Sequence, residues 1–290
     1  MPHAFTEHRY TGDDGAELGY LERGSGDRLI CLPGGPGADV RYLGGLGGLD
    51  EHRTLVLVDQ RATGRSPVPG DRSRCTYTAQ AHDLEALRRH LGLEALDLLA
   101  HSAACLTAQE YAAAYPGRIR RLVLVTPAGV VAREPDEDEV AAIRAARADE
   151  PWYPAAVAAQ QELAAGNVEP KRADELTLRT VPFVWGTWRE EYLALYREPT
   201  QDAPDWYRGV FYSGAPDPAD RAARLARLAA SGVRPLVLAG GRDGVAGTAP
   251  ARRAAELHPG SHLVVFPEAG HRLWSEEPKA FVDEVLAHLG

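Results

Sequence analysis

The chain has 290 residues, of which 44% are hydrophobic and 25% charged, and its formal net charge is −9. This balance suits a globular protein with one large core or two modest ones and excludes a disordered or fibrous chain. The acidic surplus repels phosphate backbones and anionic headgroups, and like charges come only in short runs, so neither nucleic acid nor a membrane surface is an expected partner; a small molecule or short peptide is.

The opening residues MPHAFTEHRY hold no apolar signal segment, and no window approaches the roughly 18 consecutive apolar residues of a membrane span. A soluble, cytoplasmic protein is expected, its oligomeric state left open. Cys31, Cys75 and Cys105 lie far apart, without the paired spacing of zinc or redox motifs. They are assigned to packing, and no metal or organic cofactor is implied.

Short apolar runs then alternate with amphipathic stretches. The runs are AELGYLERG (16–24), RLICL (28–32), TLVLV (54–58), LDLLA (96–100), RLVLVT (121–126), PLVLAG (235–240) and HLVVF (262–266). Unbroken apolarity over about five residues, bounded by Gly, Pro or charge, suits strands buried on both faces. Helices are expected at 78–92, 106–116 and 276–290. In the last, Phe281, Val282, Val285, Leu286 and Leu289 recur every three or four residues and make one apolar face. Strands separated by helices imply an α/β fold with a parallel sheet. Between residues 131 and 214 the strand runs stop, and acidic, alanine-rich helical segments carry Trp152, Trp185, Trp188 and Trp206. This stretch reads as a helical cap over the carboxyl edge of the sheet, where open α/β sheets bind ligands. The core domain is then 1–130 and 215–290, and the cap 131–214.

Three segments carry chemistry. In LDLLAHSAACLT (96–107) a strand turns directly into a helix with Ser102 at the corner, which lifts the hydroxyl clear of the backbone. Such a corner forces an unfavourable backbone conformation on the serine, and the positions two before and two after are usually glycine; here they are Ala100 and Ala104. A helix-capping serine has the same local sequence. GRDG after PLVLAG places Asp243 at a strand end, and PEAGHRLW after HLVVF places His271 in the next loop. The order Ser102, Asp243, His271 is that of a nucleophile, acid and base triad. One strand earlier the sequence reads TPAG, which offers no carboxylate. His101 abuts the serine but is expected to point away from it. The glycines of LPGGPGAD (32–39) let a backbone N–H face a carbonyl oxygen, so Gly35 and Ala103 are the expected oxyanion donors. The loop lacks the Lys and Ser/Thr of a phosphate-binding loop.

PGGPG at 33–37, DQRATGRS at 59–66, HS at the corner, the GRD segment and the GH segment together resemble proline iminopeptidases and their relatives in the α/β-hydrolase superfamily. The resemblance implies a mostly parallel eight-stranded sheet with helices on both faces and an inserted helical cap. Pro33 and Ala62 depart from the usual HGGPG and DQRGxGRS, and Asp59 and Arg61 are implied to brace the loop beside the site. Family aminopeptidases bind the substrate amine through cap carboxylates, one in a WSxWE-like stretch. The matching WGTWREE, from Trp185 to Glu191, puts Arg189 at the glutamate position, leaving Trp185, Trp188 and Glu190 as the implied substrate contacts.

The expected function is a serine hydrolase working through an acyl-enzyme. It removes an N-terminal aminoacyl group from a small peptide or aminoacylated small molecule. A carboxylester or lactone hydrolase on a lipophilic molecule, and a non-catalytic binding module on the same fold, are the alternatives.

Overall fold

The computed structural model describes residues 4–197 and 203–290. Every apolar run becomes a strand: β2 (Glu17–Gly24), β3 (Arg28–Leu32), β4 (Thr54–Val58), β5 (Leu96–His101), β6 (Ile119–Val125), β7 (Leu236–Gly240) and β8 (His262–Phe266). One further strand, β1 (Thr6–Thr11), was not expected; only Tyr10 is buried in it, because it is an edge strand with one face in solvent. The eight strands form one sheet in the order β1-β2-β4-β3-β5-β6-β7-β8. β1 and β2 pair antiparallel, as do β2 and β4, while the remaining pairs are parallel.

Successive side chains of the central strands alternate between two cores, as the period of a strand requires. Ile30, Leu32, Val56 and Leu98 face one core, which is covered by α1 (Tyr77–His90), α2 (Ala104–Ala114), α8 (Pro218–Ala230) and α9 (Ala249–Leu257). Leu29, Cys31, Leu55, Leu57 and Leu99 face the other, under α11 (Pro278–Leu289). The expected apolar face of α11 is the buried one: Phe281, Val282, Val285 and Leu289 enter the core, with Leu286 half-buried at its edge. The three cysteines are buried and unpaired. No helix among the described residues is long and apolar enough to cross a membrane.

Between β6 and α8 the described chain is helical: α3 (Glu137–Ala145), α4 (Tyr153–Ala165), α5 (Pro170–Thr180), α6 (Tyr192–Arg197) and α7 (Tyr207–Ser213), with α10 (Leu273–Glu276) following β8 later in the chain. Its tryptophans hold the insertion together. Trp185 stacks on Tyr192 at 4.2 Å, Trp152 meets Phe183 edge-on at 5.2 Å, and the Arg72 guanidinium lies 4.6 Å over Trp206.

Candidate active site

The expected catalytic and oxyanion residues follow the carboxyl ends of β3, β5, β7 and β8. Ser102 follows β5 and adopts φ 54°, a left-handed conformation that strains a non-glycine residue. Its N–H donates to the Val125 carbonyl at 2.9 Å and its own carbonyl accepts from Cys105 and Ala128. These bonds on both sides hold the strained turn, and they form with Ala100 and Ala104 fully buried at the corner. One methyl at each position is therefore accommodated. Cys105 lies beneath, its Sγ–H directed at the Ala100 carbonyl, 3.2 Å away, and burial pushes its thiol pKa up.

Asp243, past β7, is completely buried. Its Oδ1 accepts from the N–H groups of Val245 (2.8 Å) and Ala246 (3.0 Å), and its Oδ2 accepts from His271 Nδ1 at 2.7 Å. Carboxylate oxygens only accept, so the Nδ1 of His271 carries a proton, and in the tautomer this fixes, the lone pair is on Nε2. His271 itself is held at its backbone: its N–H donates to the Val184 carbonyl at 2.6 Å. Gly270 permits that approach, because a Cβ there would sit 2.4 Å from the Val184 oxygen and 2.6 Å from the Gly186 nitrogen.

Ser102 and His271 line one cavity of about 480 Å³. Among the described residues no hydrogen bond joins the Ser102 hydroxyl to His271; the two groups share the wall of this cavity. Gly34 and Gly35 approach the serine directly; a Cβ on Gly34 would lie 2.8 Å from the Ser102 Cβ, and Gly35 has φ 115°. Among the described residues no acceptor takes the N–H of Gly35 or of Ala103, so the two expected oxyanion donors are unspent. Gln60 steadies the loop by accepting from the Gly37 N–H at 3.2 Å. Asp59 holds Arg65 through bonds of 2.5 and 3.0 Å, while buried Arg61 is bonded to Asp83 and Asp14. Both act as braces, as the resemblance implied.

Tyr42, Thr126 and Glu276 went unread in the sequence. His101 points away from the Ser102 hydroxyl, as expected, and turns to Tyr42 and to the backbone of His271. Its Nε2–H donates to the His271 carbonyl at 2.9 Å, which leaves Nδ1 to accept from the Tyr42 hydroxyl; Tyr42 in turn accepts from the Gly34 N–H at 2.7 Å. Burial holds the His101 pKa well below the usual value, so the ring stays neutral and this chain of bonds keeps one polarity. It ties the oxyanion loop to the histidine loop. Thr126 (φ 43°) donates its hydroxyl to the same His271 carbonyl at 3.1 Å. The Glu276 carboxylate accepts from the N–H groups of Gly186, Thr187 and Gly270, joining the insertion to the histidine loop.

The expected substrate contacts are corrected. Trp185, Trp188 and Glu190 do not line the cavity. Trp185 is fully buried against Tyr192, Trp188 packs beside that cluster, and Glu190 is exposed. The cavity is lined instead by Tyr42, Phe183 and Tyr196 together with Arg133, Arg144, Arg208 and Arg272; among the described residues no Asp or Glu lines it. A larger hollow of about 930 Å³ lies at the amino ends of the strands, far from this chemistry. Four of its charged groups pair with one another, Arg28 with Glu22 and Arg120 with Asp97.

A parallel α/β sheet with a strained serine at the strand-to-helix corner, and an acid–base pair on the next strand ends, defines the nucleophile-elbow class of proteins. Residues 27–278 match the family described as the alpha/beta hydrolase fold, and the chain belongs to that family. It is 30% identical to a proline iminopeptidase of Heyndrickxia coagulans over 106 residues, 37% of each chain. It is 31% identical to a cis-3-alkyl-4-alkyloxetan-2-one decarboxylase of Shewanella oneidensis over 124 residues, 42% of this chain and 38% of that one. The matched stretches thus span well under half the length of these relatives. Among solved structures, a malate-bound thermophilic esterase from Thermogutta terrifontis superimposes with a TM-score of 0.69 over 98% of both chains at 22% identity, a likeness of fold alone.

Proposed function

We propose that the protein is a serine hydrolase that cleaves carboxylic esters or lactones of small molecules through an acyl-enzyme. The observation that carries this reading is the 2.7 Å Asp243–His271 bond on the wall of the cavity that Ser102 enters from its strained corner. Ser102 Oγ attacks the carbonyl carbon while His271 Nε2 takes its proton. The oxyanion forms against the Gly35 and Ala103 N–H groups, a pair of donors worth a few kcal/mol in such sites. His271 then gives the proton to the leaving oxygen, and water, activated by the same imidazole, releases the acid. Asp243 keeps the proton on Nδ1 throughout and stabilises the imidazolium formed in each half-reaction.

An aminopeptidase is the second reading, favoured by the likeness to proline iminopeptidases over about a third of the chain. It requires an anionic group to receive the substrate ammonium, and the described residues lining the cavity include none. Comparing phenyl esters with aminoacyl arylamides, alongside labelling by a fluorophosphonate, tests the proposal. Ester turnover and a single adduct on Ser102, both abolished in Ser102→Ala, are expected. Faster turnover of free-amine arylamides than of esters would restore the aminopeptidase, and ligand binding without labelling or turnover would leave a binding module.

A further inference from the structure

Most arginines with a guanidinium ion pair in this acidic chain meet a carboxylate directly: Arg23 meets Asp50, Arg61 meets Asp83, Arg65 meets Asp59, Arg88 meets Glu85 and Arg224 meets Glu110. The four around the Ser102 cavity do not. Arg144 donates Nε to the Gly244 carbonyl at 2.7 Å and lies 5.4 Å from the Phe183 ring. Arg208 donates to the Gly35 carbonyl at 3.1 Å and stands 5.7 Å from the Tyr212 ring. Arg272 donates to the Leu195 carbonyl at 3.0 Å and lies over Tyr42 and Tyr196 at 4.8 and 5.3 Å. The Arg133 guanidinium has neither a hydrogen bond nor an ion pair to a described residue, its backbone bridging to Gly129. Asp243, the carboxylate behind the cavity wall, is committed to His271 and two backbone N–H groups.

A guanidinium has five N–H donors and keeps its charge at any ordinary pH. Carbonyl and ring contacts fix the orientation of these groups without neutralising them. Burial works against the charged forms of Arg144 and Arg272, lowering both pKa values; the nearby charges of Glu137 and Asp243 offset this only in part at Arg144. Four guanidinium groups without a directly bonded carboxylate among the described residues, converging on one hollow of a protein with net charge −9, focus a positive potential there. Arg133 and Arg208 also border a small recess that opens beside Gly35 and Ser102.

We infer that the substrate carries a second carboxylate besides the group that is cleaved, held by Arg133 and Arg208 beside Ser102 within the field of Arg144 and Arg272. The identity of the cleaved bond rests on the hydrolase reading above; the anion site itself does not. Paired N–H donors on a guanidinium match the two oxygens of a carboxylate, and such charge-assisted bonds orient the ester as well as attract it. A substrate ammonium would meet like charge at the same place.

The test compares three esters on the intact protein: phenyl hexanoate, which is neutral; monophenyl adipate, charged on the acyl side; and 4-carboxyphenyl hexanoate, charged on the leaving side. At least one charged ester is expected to exceed the neutral one in kcat/KM by roughly tenfold, the worth of one charge-assisted hydrogen bond, and to lose that advantage as salt rises. Which one does so tells where the second carboxylate lies. Arg133→Gln and Arg208→Gln should each lower the charged-to-neutral ratio. Arg172→Gln, on exposed helix α5 and paired with Glu162, should leave all three rates unchanged. A neutral ester that matches or outruns both charged ones at low salt overturns the inference and leaves the hydrolase standing. If no ester is cleaved and the fluorophosphonate does not label Ser102, the hydrolase reading fails, and thermal shift decides the anion site alone. Stabilisation by adipate but not hexylammonium, lost in both arginine variants, supports the site; no response to adipate overturns it.

Discussion

Replacing Asp243 by asparagine exchanges one oxygen for an NH2 group and keeps the shape, and the surrounding bonds dictate how the amide must sit. Val245 and Ala246 present only N–H donors, at 2.8 and 3.0 Å, so the amide oxygen has to face them and the NH2 has to face His271 Nδ1. The opposite rotamer would leave two buried N–H groups opposed to an NH2, at about 1–3 kcal/mol each. The His271 proton therefore moves from Nδ1 to Nε2, the nitrogen that must accept from Ser102. A base locked in that tautomer loses roughly 10⁴ in kcat in serine hydrolysis, or about 5.5 kcal/mol of barrier. Stability should change by only about 1–2 kcal/mol, the difference between a charge-assisted and a neutral hydrogen bond. Steady-state turnover of a phenyl ester together with thermal unfolding measures both. A loss of turnover smaller than about tenfold, with the unfolding transition preserved, would refute the tautomer argument and with it the assigned role of Asp243.

Three further outcomes follow from the same structure. Gly270→Ala drives a Cβ to 2.4 Å from the Val184 oxygen, so the 184–186 segment and His271 must part; a loss of about 2 kcal/mol or more in stability and at least about tenfold in kcat is expected, and wild-type values for both would contradict the packing. Ala104→Gly should change kcat only a few-fold while costing roughly 1 kcal/mol of helix stability, whereas a large gain in turnover would mean that the alanine distorts the corner. Glu85 is bonded to Arg88, Tyr111 and Arg89, and mainly the Arg88 bonds lower its pKa from 4.5 to about 2. Since the folded value lies below the unfolded one, this stabilisation is complete above about pH 4.5 and is lost as the pH falls toward 2. Denaturant unfolding across that window should show a slope of up to about 1.4 kcal/mol per pH unit that Glu85→Gln removes, and equal slopes would exclude the assignment.

The sheet was legible because buried parallel strands are written as unbroken apolar runs; TLVLV and HLVVF keep their expected ends to the residue. β1 escaped because an edge strand needs to bury little, and TEHRYT buries only Tyr10. The serine, acid and base could be placed because each follows a strand end, a position the topology makes meaningful. The lining of the cavity could not. It is assembled from loops and insertion helices distant in sequence, and arginine supplies nearly every positive charge in the chain, so Arg133 or Arg208 looks no different from Arg172 until its lack of a carboxylate partner is visible. Trp185 misled for the converse reason: a large aromatic beside a binding motif satisfies itself equally well in a core, and here it stacks on Tyr192.

The Glu276 carboxylate gives the molecule a hinge side and an open side. Prising the insertion from the histidine loop at Gly186 and Thr187 would strand three amides and the carboxylate that caps them, whereas the Arg133 side chain holds no described bond that a solute would have to break. Traffic to the hydroxyl is thus cheapest from the margin where positive charge waits, and the imidazole keeps its seat while molecules come and go.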